Sequence, residues 1–163
     1  MAKNAVITGW GFYAPSRVLT NADLERIVDT SDEWITSRTG IKERRIASDG
    51  ETTSTMSIRA ARQALEKAHL RGQDVQLVIV GTASPDYLFP ATACLVQAAI
   101  GATRAGAFDV EAACTSFISA LAIARGMIVS GAIENALVIG AETRSGLVVS
   151  LVAAKPLLAR AFT

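Results

Sequence analysis

Leu77-Val78-Ile79-Val80 is a run of four apolar residues with no polar residue between them, and three of the four are β-branched. Successive side chains on a strand point to opposite faces, so such a run is stable only where both faces are covered. That condition is met by a parallel sheet carrying helices on each side. The run therefore predicts a layered α/β architecture rather than a helical bundle or a half-solvated antiparallel sheet.

The segments around it supply the other layers. Ala5–Gly9 predicts a first strand, Ala105–Val110 a further one and Ala136–Gly140 another. Thr20-Asn21-Ala22-Asp23-Leu24 reads as a helix start, with Thr20 or Asn21 offering an oxygen to the first free amides. Thr30-Ser31-Asp32-Glu33-Trp34 reads as a second, its acids placed at the positive end of the helix. From Thr53 to His69, Ala61, Ala64, Leu65 and Ala68 recur at helical spacing. A short helix is predicted over Ala93–Ile100, and a long one over Cys114–Ser130 with Gly131 as its stop. The long helix is apolar nearly all round, which suits the middle of a core larger than one small domain. The order of strands and helices predicts a mixed, mostly parallel sheet.

Composition narrows the function classes. Half of the 163 residues are hydrophobic and the net charge is +1, which excludes a disordered chain. Sixteen basic residues against fifteen acidic ones exclude a charge-driven nucleic-acid binder. No unbroken apolar run approaches 18 residues, the stretch of interest being Gly146–Ala154, and the start shows no secretory segment. The expectation is a soluble, cytoplasmic protein with no membrane partner. Two cysteines, Cys94 and Cys114, and a single histidine, His69, make neither a disulfide framework nor a metal site. No phosphate-cradling glycine loop is present, so no cofactor and no metal are expected. His69 reads as a solvated residue at a helix end and Cys94 as structural.

The stretch richest in chemistry is Asp109-Val110-Glu111-Ala112-Ala113-Cys114-Thr115-Ser116-Phe117, where a strand turns directly into the apolar helix with a thiol at the junction. The helix dipole and free amides there favour a thiolate, and amides nearby suit the oxyanion formed when a thiolate attacks a thioester. The same residue also suits a small core position.

Asp109-Val110-Glu111-Ala112-Ala113-Cys114 resembles the nucleophile turn of the β-ketoacyl-acyl-carrier-protein synthase III family of thiolase-fold condensing enzymes. Thr20-Asn21-Ala22-Asp23-Leu24-Glu25, Val28-Asp29-Thr30-Ser31-Asp32-Glu33-Trp34-Ile35 and Arg38-Thr39-Gly40-Ile41 are similar to the family as well. So are Phe89-Pro90-Ala91-Thr92-Ala93-Cys94 and Gly131-Ala132-Ile133-Glu134-Asn135-Ala136-Leu137-Val138-Ile139-Gly140. The resemblance covers residues 4 to about 143. It implies a thiolase-like layered fold, first half only, with Cys114 acylated by an acyl-CoA primer before condensation with malonyl-acyl-carrier protein. It implies that Trp34 and Arg38 hold the CoA adenine, that Thr30 is a neighbouring contact, and that Phe89 lies at a homodimer interface and closes the partner's acyl pocket.

Two departures stand out. Thr115-Ser116 occupy the place where many members have Ala-Gly, a change expected to alter the pocket but not the turn. The family's catalytic His and Asn belong to a second half that this sequence does not match. Residues 144–163 hold Arg144, Lys155 and Arg160 and no acid, and are read as an aberrant or truncated tail, out of frame with the parent gene. The domain expectation is thus 1–143 as the first half of a ketoacyl synthase and 144–163 as tail. The alternatives are a non-catalytic binding or dimerisation module built on this fold, or a related condensing enzyme with a longer or aromatic primer.

Overall fold

The computed structural model describes residues 4–143; the tail 144–163 and the question of its reading frame lie outside them. The described chain forms two compact units, residues 4–13 with 52–142 and residues 14–51 with 143.

The smaller unit contains β1 (Arg17–Thr20), α1 (Asn21–Glu25), α2 (Asp32–Thr39) and β2 (Glu43–Ile46). β1 and β2 pair antiparallel, with Arg17 opposite Ile46 and Thr20 opposite Glu43. Thr20 caps α1 through a capping box with Asp23, and Ser31 caps α2 by accepting the Trp34 amide. Asn21 is buried where these elements meet. Its Nδ2 donates to Asp32 Oδ1 at 2.6 Å and to the Ile41 carbonyl at 2.9 Å, and its Oδ1 accepts from Arg44. One amide thus joins α1, α2 and β2. Gly40 ends α2 in the left-handed conformation, φ 71°, where glycine carries no Cβ penalty.

The larger unit contains α3 (Thr53–Ala68), β3 (Leu77–Gly81), α4 (Thr92–Ala99), β4 (Gly106–Val110), α5 (Ser116–Ser130) and β5 (Leu137–Gly140). The three strands form a parallel sheet in the order β4-β3-β5. Every residue of β3 is buried, as its composition predicted. Val78 and Val80 join Ala61 and Leu65 of α3 and Ala93 and Val96 of α4 on one face. Leu77 and Ile79 join Ala120 and Ala124 of α5 on the other. The chain steps from β3 to β4 in one direction and from β4 back across β3 to β5 in the other. Right-handed crossovers then place α4 and α5 on opposite faces, as observed.

One expectation needs correction. Ala5–Gly9 is not a strand: it runs without a hydrogen-bonded strand partner among the described residues, and Val6 and Ile7 are 78% and 82% exposed. A β-branched run becomes a strand only when a neighbour completes the ladder. No unbroken apolar run in the sequence approaches 18 residues, and among the described residues one helix is nevertheless long and apolar enough to cross a membrane by length and composition. It is the 18-residue helical stretch Ala113–Ser130, and the core helix of a soluble protein meets the same description. Ser116, Ser119 and Arg125 interrupt its apolar residues without interrupting the helix. Here Ser116, Ala120 and Ala124, four apart, line its buried edge, and the two alanines pack on Leu77 and Ile79.

Candidate active site

In an open parallel sheet, reactive groups gather beyond the carboxyl ends of the strands, near the point where the strand order reverses. Cys114 lies there, four residues after β4 ends, in a single 3₁₀ turn (Ala113–Thr115) that leads into α5. It is exposed, and among the described residues its thiol makes no hydrogen bond.

The turn is held close to the sheet by missing side chains. A Cβ on Gly81, the last residue of β3, would lie 2.8 Å from the Ser116 carbonyl carbon and 2.9 Å from the Phe117 amide nitrogen. Both are backbone atoms, so only glycine lets the first turn of α5 sit on the strand end. Gly140, ending β5, faces the Phe117 side chain in the same way, its Cβ position 3.1 Å from Phe117 Cβ. Between β4 and the helix, Ala113 has φ 46°, in the left-handed region. For an L-residue with a Cβ that conformation costs roughly 1–2 kcal/mol, so the turn persists because its surroundings hold it. Part of that hold comes from two hydroxyls: Thr115 Oγ1 donates to the Ala112 carbonyl at 2.8 Å, and Ser116 Oγ accepts from the Ala112 amide at 2.8 Å. The turn is therefore braced by the very side chains expected to bear only on the pocket.

Three carboxylates that sequence reasoning left without a role fix the neighbouring loops. Asp109 of β4 accepts the Thr92 and Ala93 amides, each at 2.7 Å, and so caps α4, whose own N-cap residue, Ala91, supplies no side-chain bond. Asp86 accepts the Ser54 amide at 3.0 Å and the Thr52 hydroxyl at 2.7 Å at the start of α3. Glu142, just past β5, accepts the Ala83 amide at 2.8 Å and the Ser84 hydroxyl. Asp109 lies on an apolar strand and Glu142 just past one, whereas Asp86 sits in a loop, and the partners of all three lie far along the chain.

Phe89 sits on the loop between β3 and α4 and is 89% exposed, with Tyr87 and Leu88 also exposed beside it. Cys94 is half-buried on α4, its Sγ 3.9 Å from the Ala107 carbonyl, and His69 is the exposed left-handed cap that ends α3. No cluster of three or more His, Cys, Asp or Glu side chains suited to a metal occurs among the described residues.

Thr30, Trp34 and Arg38 belong to the smaller unit. Four residues apart on α2, Trp34 and Arg38 lie on one helix face, with the guanidinium carbon 5.3 Å from the indole centroid. Ile35 is buried between them in sequence, whereas Trp34 is 49% exposed and so is not a core anchor. Half-buried Thr30 precedes the helix. The structure brings Trp34 and Arg38 together as a flat, cationic surface, while Cys114 and Phe89 belong to the larger unit.

Known proteins share this fold over most of the chain. The family described as 3-oxoacyl-[acyl-carrier-protein (ACP)] synthase III matches residues 108–150, which include the Cys114 turn. The β-ketoacyl-[acyl-carrier-protein] synthase III of Roseiflexus sp. (strain RS-1) is 58% identical over 142 residues, covering 87% of this chain and 43% of the relative. The crystal structure of 3-oxoacyl-[acyl-carrier-protein] synthase III from Aquifex aeolicus VF5 superposes with a TM-score of 0.83 at 56% identity, over 86% of this chain and 45% of that one. The Thermus thermophilus synthase III structure gives a TM-score of 0.81 at 46% identity, over 87% and 44%. The chain thus spans less than half the length of the relatives it matches. It belongs to the β-ketoacyl-[acyl-carrier-protein] synthase III family and carries the N-terminal part of that family's thiolase-like α/β fold.

Proposed function

We propose that this chain is the nucleophile-bearing part of a β-ketoacyl-acyl-carrier-protein synthase III, an acyltransferase that starts fatty acid synthesis in the cytoplasm as a homodimer. Cys114 attacks the thioester carbonyl of an acyl-CoA primer. The sulfur–carbon bond forms, the carbonyl electron pair moves onto oxygen, and collapse of the tetrahedral intermediate expels CoA thiolate and leaves the acyl group on Cys114. Malonyl-acyl-carrier protein then accepts that acyl group after loss of carbon dioxide. The groups that the resemblance assigns to decarboxylation, His and Asn, have no counterpart here, since the single histidine, His69, caps α3 at the surface. Residues 1–143 are accordingly assigned to priming.

The observation that carries this reading is the exposed Cys114 on a strained, braced turn at the carboxyl ends of a parallel sheet. Backbone amides at the start of α5 stand ready for the developing oxyanion. On α2, the indole of Trp34 and the guanidinium of Arg38 suit an adenine ring by stacking and cation–π attraction, with Thr30 beside them. Exposed Phe89 is offered to a second copy, where it would close the acyl pocket. CoA arrives as part of the substrate, so the chemistry calls for no resident cofactor.

Saturating CoA should slow alkylation of Cys114 by iodoacetamide in the intact chain, and Trp34→Ala should remove most of that protection. Alkylation that ignores CoA would refute the binding role of α2 and favour a non-catalytic module.

A further inference from the structure

Ser116, the first residue of α5, is 3% exposed and makes two bonds with backbone on the far side of the cysteine. Its Oγ accepts from the Ala112 amide and donates to the Ala113 carbonyl, both at 2.8 Å. The Ala113 carbonyl also accepts the Ser116 amide. A single side chain therefore grips both residues that precede Cys114, including Ala113 with its positive φ.

The grip sets a direction. The Ala113–Cys114 peptide is trans, so its carbonyl and its N–H point opposite ways. With the carbonyl drawn into the start of α5 by Ser116, the Cys114 N–H is aimed out of the helix end, where the cysteine is exposed.

We propose that Ser116 is a positioning residue whose hydroxyl clamps the Ala112–Ala113 backbone and keeps the Cys114 N–H aimed as a donor to the oxyanion formed when Cys114 takes an acyl group. The inference rests on Cys114 being the acyl acceptor, and it concerns only the orientation of that amide.

Two reagents separate orientation from general structure. p-Nitrophenyl acetate acylates a thiolate through an oxyanion: sulfur bonds to the carbonyl carbon, the π pair moves to oxygen, and collapse breaks the ester C–O bond and releases p-nitrophenolate. The thiol proton goes to buffer. Iodoacetamide alkylates by direct displacement of iodide at a saturated carbon and forms no oxyanion. Both rates are measured by intact mass on the full chain in a Cys94→Ser background, for the parent, Ser116→Ala, Ser116→Gly and Thr115→Ala.

The expected result is that Ser116→Ala and Ser116→Gly slow acylation by about tenfold, less than deletion of an oxyanion donor costs in an enzyme, while alkylation stays within about twofold. Thr115→Ala, which leaves both Ser116 bonds in place, should change neither rate beyond about twofold, far short of losing such a donor. Acylation at the parent rate in the Ser116 variants, or an equal loss with both reagents, overturns the proposal. Should Ser116→Ala fail to fold, Ser116→Gly decides, because glycine fits the space beside Gly81. Failure of acetyl-CoA to acylate the parent chain counts against the acyl-CoA reading alone, and a selective loss with p-nitrophenyl acetate then still establishes the Ser116 role.

Discussion

Replacing Asp109 by alanine should destabilise the larger unit by about 3 kcal/mol, from the loss of two hydrogen bonds to a charged group at about 1.5 kcal/mol each. The carboxylate accepts the Thr92 and Ala93 amides at 2.7 Å, short distances that mark charge-assisted bonds. Thr92 and Ala93 are buried, so water cannot take over as acceptor. Ala91, at the N-cap of α4, has no side-chain oxygen to substitute. The estimate lies somewhat above the loss of an ordinary N-cap, up to about 2 kcal/mol, because two donors are orphaned together. Against a typical stability of about 5–15 kcal/mol the change is large. Asp109→Asn keeps one acceptor oxygen and loses the charge, so about half the effect remains. Urea denaturation followed by far-UV circular dichroism measures both variants. An Asp109→Ala midpoint corresponding to less than about 0.5 kcal/mol, the range of an ordinary surface change, would refute the assignment of Asp109 as the cap of α4.

Gly81→Ala should cost about 1–3 kcal/mol, because its Cβ meets Ser116 and Phe117 backbone at 2.8 and 2.9 Å, whereas Gly140→Ala meets a side chain at 3.1 Å and should cost less. Equal thermal midpoints for the two variants would contradict the close approach of α5 to β3. Trp34→Ala should weaken CoA binding measured by calorimetry by about 1–3 kcal/mol, the worth of one stacked base, and unchanged affinity would remove Trp34 from the site. Hydrogen bonds from Thr20, first through its side chain, hold the Asp23 carboxyl below the ordinary Asp value. A folded-state value below the unfolded one means a stabilisation fully present above the ordinary value and lost as pH falls through the lowered one. Titration followed by NMR should show an Asp23 midpoint below that of an unfolded peptide, and Thr20→Ala should bring it part of the way back, the Thr20 backbone N–H and Arg26 remaining.

Elements were legible wherever the residue types leave one physical solution. β3 could be read because four unalternated apolar residues demand two covered faces, and α3 because Ala61 and Leu65 recur on its buried side. β1 and β2 were not, since Arg17, Glu43, Arg44 and Arg45 show no apolar pattern and the pair is defined by backbone register. Ala5–Gly9 shows the converse: its composition fits a strand, but a strand exists only with a partner. At the site, Cys114 was legible as a thiol between a strand and a helix, and the family resemblance supplied its role. The brace around it was not, because Ser116 at a helix start would be expected to cap forward and instead bonds backward to Ala112 and Ala113. Asp109 escaped notice because the amides it caps lie 16 and 17 residues away.

The account stands most directly on whether Cys114 accepts an acyl group from a CoA thioester. Incubating the chain with acetyl-CoA, digesting it and mapping the acetyl group by mass spectrometry answers this. One acetyl group on the peptide containing Cys114, absent in Cys114→Ala, is the predicted result. Acetylation that survives Cys114→Ala, or none in a folded parent chain, would contradict the account.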